Sequence, residues 1–324
     1  MPGAPPHHRE QGFANLNPDY RRPGFWTVQR FRFWRVVNSV FGLRPAPDVP
    51  RVDNDGRALR DNATEPTLTW VGHATLLLQL GGVNVLTDPH WSGRASPLSW
   101  AGPRRLAPPG LRFEDLPPIH VVVISHDHYD HLDRATVRRL AAAHRPLFLV
   151  PLGLKAWFAS IGITERVEEL DWWQARVVGG VTFTCTPVQH WSARAPWEEN
   201  RRLWSGWAIA GAGRRAFFGG DTGYWAPLFR ELGARLGPFD IAAVAISSYE
   251  PPAMMALTHT TPEEALALAR TVRARTFVAV HWGTFDLGDE PLDEPPRRLA
   301  VGAVRLGWAP EHVWILKLGE TRRW

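Results

Sequence analysis

The ten residues Ile124-Ser125-His126-Asp127-His128-Tyr129-Asp130-His131-Leu132-Asp133 place four side chains of metal-ligand type, His126, His128, Asp130 and His131, within six positions. They follow a continuous apolar run, residues 120–125, that reads as a buried strand. They precede Asp133, a favourable N-cap for a helix continuing to residue 143. So many polar groups on one tight turn are costly unless a cation satisfies them. His126 and His128 alternate and can face one ion, while Asp130 and His131 can face a neighbouring one. Each ion then needs ligands from elsewhere in the chain.

Three further candidates share that local context, each at or just after an apolar strand: His190 after residues 181–188, Asp221 after 216–218 and His281 after 277–280. Strand ends on one edge of a sheet meet in space. The expected arrangement has His126, His128 and His190 on a first metal, Asp130, His131 and His281 on a second, and Asp221 bridging both, with a shared hydroxide between the ions. Two zinc ions suit this set, and so do iron or manganese, because imidazole and carboxylate accept several divalent ions. Asp88 and His73 also stand at strand ends and are read as groups that orient ligands through hydrogen bonds. His73 reads equally well as a satisfied structural histidine.

Short β-rich runs at residues 67–71, 75–80 and 83–87, separated by Gly72 and Gly81-Gly82, read as consecutive antiparallel strands. Farther along, strand candidates at 147–150, 181–188, 203–210, 215–218, 241–246, 276–280 and 313–317 alternate with helix candidates that include 153–161 and 262–272. The latter opens on Thr261-Pro262-Glu263-Glu264, a capping box with proline at the first helical position. This order predicts an α/β fold, two mixed sheets covered by helices, over residues 66–324.

Residues 1–65 differ. Residues 1–20 are polar and rich in proline and glycine, and read as a loosely attached tail. Between residues 21 and 44 aromatic and basic residues interleave, and Trp26, Arg30, Phe33, Val37, Val40 and Phe41 follow helical spacing. Two readings stand side by side: an amphipathic segment at a membrane interface, or a helix packed on the body of the protein. Residues 45–65 read as a Pro-rich linker.

The chain of 324 residues, 44% hydrophobic, is long enough to bury a sizeable core. It has no apolar run of the roughly 18 residues a membrane span needs and no apolar signal-peptide core near its start. A cytoplasmic protein, at most peripheral at a membrane, is expected. Cys185 is the only cysteine, which excludes a disulfide framework and a cysteine-rich zinc cluster. The net charge of +5 is almost wholly arginine, with lysine only at Lys155 and Lys317. Arginine suits anionic lipid or nucleic acid, or reflects composition alone. No RNA-recognition motif accompanies it, and basic runs do not exceed pairs such as Arg104-Arg105, so no nucleic-acid partner is expected.

The metal run resembles the metallo-β-lactamase signature, and the wider sequence is similar to one branch of that superfamily, the N-acyl-phosphatidylethanolamine-hydrolysing phospholipases D. The resemblance covers residues 66–323. It rests on Trp70-Val71-Gly72-His73-Ala74-Thr75, Leu86-Thr87-Asp88-Pro89, Arg94-Ala95-Ser96, the metal run, Asp171-Trp172-Trp173, Gln189-His190-Trp191, Gly220-Asp221-Thr222-Gly223-Tyr224, Tyr249-Glu250-Pro251 and His281-Trp282-Gly283-Thr284-Phe285. It implies an αββα sandwich with a dizinc site at the sheet edge. It also implies hydrolysis of an N-acylated phosphatidylethanolamine to an N-acylethanolamine and phosphatidic acid at a membrane surface, and a family able to form homodimers. All seven ligand positions match. His259 corresponds to a histidine lining the family's active site and, with Tyr129, is a candidate substrate contact. Asp130, Asp221 and His259 are the candidate catalytic groups, with His259 or Asp130 as the proton donor to the leaving alkoxide. Asp127 and Thr258 stand where the family carries amides, and the arm before residue 66 matches loosely. The same metal chemistry also serves hydrolysis of another phosphodiester, an ester or a lactone. A non-catalytic binding module predicts lost ligands, and none is lost.

Overall fold

The computed structural model describes residues 4–41, 44 and 46–324. Its elements begin with a hairpin of β1 (His8–Arg9) and β2 (Gly12–Phe13), then helices α1 (Phe25–Phe41) and α2 (Arg57–Asp61). Strands β3 (Thr67–Gly72), β4 (Thr75–Leu80), β5 (Val83–Thr87) and β6 (Val121–Val123) follow. Next come α3 (Arg134–Ala143), β7 (Leu147–Pro151), α4 (Lys155–Ser160), β8 (Val167–Leu170), β9 (Ala175–Val178), β10 (Val181–Thr186), β11 (Gly206–Gly211) and β12 (Arg214–Phe218). The chain closes with α5 (Ala226–Leu236), β13 (Phe239–Ala245), α6 (Pro252–Met255), α7 (Pro262–Thr271), β14 (Ala274–Val280), α8 (Glu294–Arg305), β15 (Val313–Trp314) and β16 (Thr321–Arg323).

The strands form two sheets, ordered β16-β3-β4-β5-β6-β7-β8 and β15-β14-β13-β12-β11-β10-β9. Each has an antiparallel half and a parallel half: β5 through β8 pair in parallel in the first, β12 through β15 in the second. This is the expected α/β sandwich of two mixed sheets. Parallel strands must be covered on both faces, and the chain shows it by alternation. Val121, Val123, Leu147 and Leu149 face the core between the sheets, with Phe183, Trp207 and Phe217 from the other side. Val122, Phe148 and Val150 face outward beneath Val137 and Leu140 of α3 and Phe158 of α4. Both faces being buried, these strands read as continuous apolar runs. Helix α7 packs on β13 and β14 of the second sheet, with α5 and α8 against it.

Local capping chemistry sets the helix starts. The Asp133 side chain accepts from the Ala135 N–H and begins α3. The Thr261 side chain and Glu264 form a complete reciprocal capping box at α7. Edge elements without such signals, β8, β9, β16, α5 and α8, were not among the expected ones. β9 is a largely exposed edge, and α5 and α8 each open on proline.

Two expectations for the first 65 residues need correction. The tail is docked rather than loose: β1 and β2 pair, His7 is buried, and Phe13 and Leu16 pack against the core. The stretch read as a linker is part of the body, with Val49 buried in the core, Val52 N–H donating to Leu318 O and Leu318 N–H to Pro50 O. The interleaved segment is helical, as α1. Gly42 and Leu43 at its expected end, Pro45 of the expected linker and the first three residues lie outside the described residues. Among the described residues no helix is long and apolar enough to cross a membrane.

Candidate metal centre

The ligand-type side chains gather where strand ends meet. Asp88 directly follows β5 and His281 directly follows β14, while His73 sits between β3 and β4. These three non-glycine residues adopt left-handed backbone conformations, with φ of 34°, 64° and 52°. Non-glycine residues populate this region sparsely in general, and here it falls at the strand ends that carry these groups. Asp221 follows Gly220, whose φ is 56°; a Cβ there would lie 2.6 Å from Ser125 Cβ, so only glycine lets this loop approach the metal strand.

Two clusters result, each with its ligand atoms within 4.8 Å of one another: His126, His128, His190 and Asp221, and His73, Asp130, His131 and His281. In the first, His128 Nδ1 lies 2.9 Å from His126 Nε2 and 3.3 Å from His190 Nε2. In the second, Asp130 Oδ2 lies 3.2 Å from both His131 Nε2 and His281 Nε2. Asp221 touches both: Oδ2 is 3.1 Å from His131 Nε2 and 3.8 Å from His190 Nε2, and Oδ1 is 3.2 Å from His281 Nε2. The structure thus brings all seven candidate ligands together.

The far nitrogen of most of these imidazoles is held by a partner that aims the near one at the centre. His131 Nδ1 lies 2.7 Å from Asp88 Oδ2, and His190 Nδ1 2.8 Å from Thr258 O. His126 Nδ1 lies 2.8 Å from Ser125 Oγ, which itself donates to Asp88 Oδ2 at 2.5 Å. Asp88 is therefore the hub beneath the ligands. His73 Nε2 lies 2.8 Å from Asp130 Oδ2, which makes it an orienting group for that carboxylate, and it also stands inside the second cluster.

The donor set fits cations. His131 Nε2 and Asp221 Oδ1 are buried without a hydrogen-bond partner, although carboxylate oxygens stand within 3.2 Å of His131 Nε2. Lone pairs that converge without hydrogen-bond geometry suit a shared cation and little else. Burial and neighbouring imidazoles hold His126 well below the usual histidine range, and burial does the same for His190, so both are neutral, as ligation requires. His131 and His281 behave oppositely: despite burial, Asp221 and Asp130 raise His131 well above its usual range and His281 to about 9. Burial opposes ionisation of Asp221, yet His131, His281 and His259 hold it well below the carboxylate range. A divalent cation would replace the protons these carboxylates draw onto the histidines.

His259 lines the adjoining cavity with Nδ1 3.9 Å from Asp221 Oδ2 and unpartnered, and burial lowers its pKa to about 4. Tyr129 lines the same cavity, its hydroxyl donating to Arg194 O at 3.1 Å. The cavity, of about 830 Å3, has the metal cluster as its floor, with Val28 and Phe31 of α1, Met254, Met255 and Leu287 among its walls. Of the two departures from the family pattern, Asp127 turns away and pairs with Arg202 at 2.9 Å, and the Thr258 hydroxyl donates to Met255 O at 3.2 Å.

Several contributors escaped the sequence reading. Asn15 of the arm clamps the His190 backbone from both sides, donating to His190 O at 2.7 Å and accepting from His190 N–H at 3.1 Å. Asn17 donates to Gln189 Oε1, and Asp171 holds His7 and His8 at 2.7 and 2.8 Å. Arg194 donates to the carbonyls of Asp127, within the ligand run, and of Leu132, just after it. Asp171 lies in the Asp171-Trp172-Trp173 block and Arg194 four residues after a ligand, whereas Asn15, Asn17, His7 and His8 carried no signal.

Fold and cluster together define a metal-dependent hydrolase of the metallo-β-lactamase superfamily, and the family described as "Beta-lactamase superfamily domain" matches residues 83–282. N-acyl-phosphatidylethanolamine-hydrolyzing phospholipase D 1 of Caenorhabditis elegans is 45% identical over 71% of this chain and 67% of its own. The chain belongs to the N-acyl-phosphatidylethanolamine-hydrolysing phospholipase D family. A metal-dependent hydrolase of Pyrobaculum islandicum is 28% identical over 79% of this chain and 99% of its own. Among solved structures, Igni18, a metallo hydrolase from Ignicoccus hospitalis, shares the fold with a TM-score of 0.61 at 21% identity, over 81% of this chain and 99% of that one.

Proposed function

We propose that this hydrolase is a zinc-dependent phosphodiesterase of phospholipase D type, which cleaves N-acyl-phosphatidylethanolamine-like lipids to an N-acylethanolamine and phosphatidic acid. The observation that carries the reading is the seating of the metal cluster at the floor of a cavity walled by apolar residues of α1 and α6. A charged floor beneath apolar walls suits an amphiphile whose phosphate reaches inward. Two zinc ions, one per cluster, would supply Lewis acidity toward a phosphoryl oxygen and ionise water at neutral pH. The chain's own groups then divide the remaining work. Asp221 ties the two clusters together, and Asp88 and Thr258 O keep His131 and His190 aimed. His259 is neutral at neutral pH and serves as a hydrogen-bonding group beside the phosphate rather than as a cation. Tyr129 closes the cavity wall with Arg194 stacked 4.0 Å from its ring.

The α1 helix exposes Trp26, Phe33 and Trp34 beside the cavity it roofs, which supports docking on a lipid surface through this face. The decisive experiment is product analysis with N-acylated and plain phosphatidylethanolamine side by side, with Asp221→Ala as control. Release of N-acylethanolamine by the native chain alone supports the reading. Cleavage of neither lipid, with metal bound, overturns it. For His259→Ala the expectation is lowered turnover at unchanged metal content, and unchanged turnover removes the residue from the mechanism.

A further inference from the structure

A second concavity, of about 710 Å3, shares Tyr129 and Arg194 as a wall with the metal-centre cavity and opens between the loop at residues 92–104 and the first turns of α3. Arg94, Arg104, Arg134, Arg138 and Arg194 line it. Arg94 spends one Nη1 on Gly102 O, and Arg194 is bonded to the carbonyls of Asp127 and Leu132. Among the described residues, none of the five is ion-paired with a carboxylate. The one carboxylate in the lining, Asp133, is spent: its oxygens accept from Ser92 N–H, Ala135 N–H and the Thr136 hydroxyl.

Part of the arginine excess is spent in ion pairs elsewhere. Arg139, next to Arg138, pairs with Glu114 at 2.7 Å, and Arg176 pairs with Glu168 at 2.8 Å. Among the described residues arginines without an ion pair also occur elsewhere, Arg275 and Arg305 among them, but here five of them line one hollow. Guanidinium forks match phosphate oxygens in bidentate geometry, so several around one hollow select a phosphate-bearing anion. The same loop exposes Leu98 and Trp100, the latter 75% accessible. A freely soluble phosphate compound has no use for an exposed leucine and tryptophan beside its site. A phosphate carried on a lipid does, because indole rings settle at headgroup level.

We propose that this concavity binds the phosphate headgroup of an anionic phospholipid at the membrane surface, at a site separate from the metal centre. The site goes beyond the reaction assigned above and does not depend on it. Its position has a consequence for the metal centre, since Arg194 belongs to both walls and grips the backbone within and just after the ligand run.

The test is co-sedimentation of the full chain with vesicles of phosphatidylcholine alone and of phosphatidylcholine carrying phosphatidic acid. It compares the native protein with Arg134→Gln/Arg138→Gln and with Arg275→Gln/Arg305→Gln, a pair of exposed arginines outside the concavity that removes the same charge. All four side chains are exposed, and thermal melting checks that both variants remain folded. The concavity pair is expected to lose on the order of tenfold in affinity for the anionic vesicles. The remote pair should lose less than about threefold, because charges beyond a screening length contribute little. An Asp221→Ala chain should keep the preference for anionic vesicles. Equal losses in the two arginine pairs would reduce the effect to net charge and overturn the site. Loss of the preference in Asp221→Ala would return it to the metal centre. Arginine-dependent binding of glycerol 3-phosphate, without preference for anionic vesicles, would replace the lipid with a soluble ligand.

Discussion

The turn at residues 126–133 and the arm at residues 4–20 both end on the metal centre, yet they are held there by different kinds of force. The turn is fixed by charge. Asp88 holds Ser125 and His131, Arg202 holds Asp127, and Asp130 and Asp221 face the imidazoles in a buried setting. The arm is fixed largely by neutral amides: Asn15 brackets the His190 backbone and Asn17 meets Gln189, with the His7/His8–Asp171 contact as its latch. Buried charge is strong, pH-sensitive and dependent on its partners. Neutral hydrogen bonds are each worth about 1 kcal/mol net. Turn contacts should therefore decide whether the centre exists, and arm contacts how firmly one histidine is held.

Four measurements sharpen or break this contrast. The largest effect is expected for Asp221→Ala, which removes the group shared by both clusters. Hydrolysis should fall on the order of a thousandfold, with loss of bound metal by elemental analysis, matching several kcal/mol of lost charge stabilisation. Asp88→Ala leaves every ligand in place but frees His131 and Ser125. Metal affinity should fall roughly 10- to 100-fold, and unchanged affinity would show that the turn holds itself.

Acid acts next, on the charged cluster the turn shares with His281. In the absence of a cation the carboxylates raise His281 to about 9, so below that value each cation bound there displaces a proton. Apparent metal affinity should rise with pH up to about 9, by about tenfold per unit for the proton lost from His281 and more steeply where His131 loses one too, in chelator competition. A flat profile would mean that protons do not compete at this ligand. The smallest effect belongs to the arm. Asn15→Ala should weaken metal binding about fivefold, the equivalent of about 1 kcal/mol, with the fold intact by circular dichroism. A loss as large as that of Asp221→Ala would erase the distinction between turn and arm.

The ligand turn was legible because its chemistry is local. Four ligand-type residues within six positions, after an apolar strand and before an N-cap, carry their meaning in the spacing. The distant ligands were legible for a related reason, since His190, Asp221 and His281 each follow a strand and strand ends converge. Asn15 carried no such mark, because an asparagine in a polar, Pro-rich stretch is ordinary until the chain folds back to place it against residue 190. Thr258 O is a backbone carbonyl, and the position of a carbonyl leaves no trace in side-chain pattern. The arm was misread as loose for the same reason, its burial depending on Asp171 and Trp172, more than 160 positions away in the chain.

The amino-acid sequence by itself determined the α/β sandwich, the family and which residues gather at the metal centre, because period-2 burial, capping boxes and ligand spacing act between near neighbours. Only the tertiary structure decided that His73 joins the second cluster, against Asp130. It also turned His128 to present Nδ1, placed the arm as a clamp on His190, and gathered five arginines around one hollow. Each of those depends on distances between segments far apart in the chain, which are set by how the sheets and loops pack rather than by any local preference.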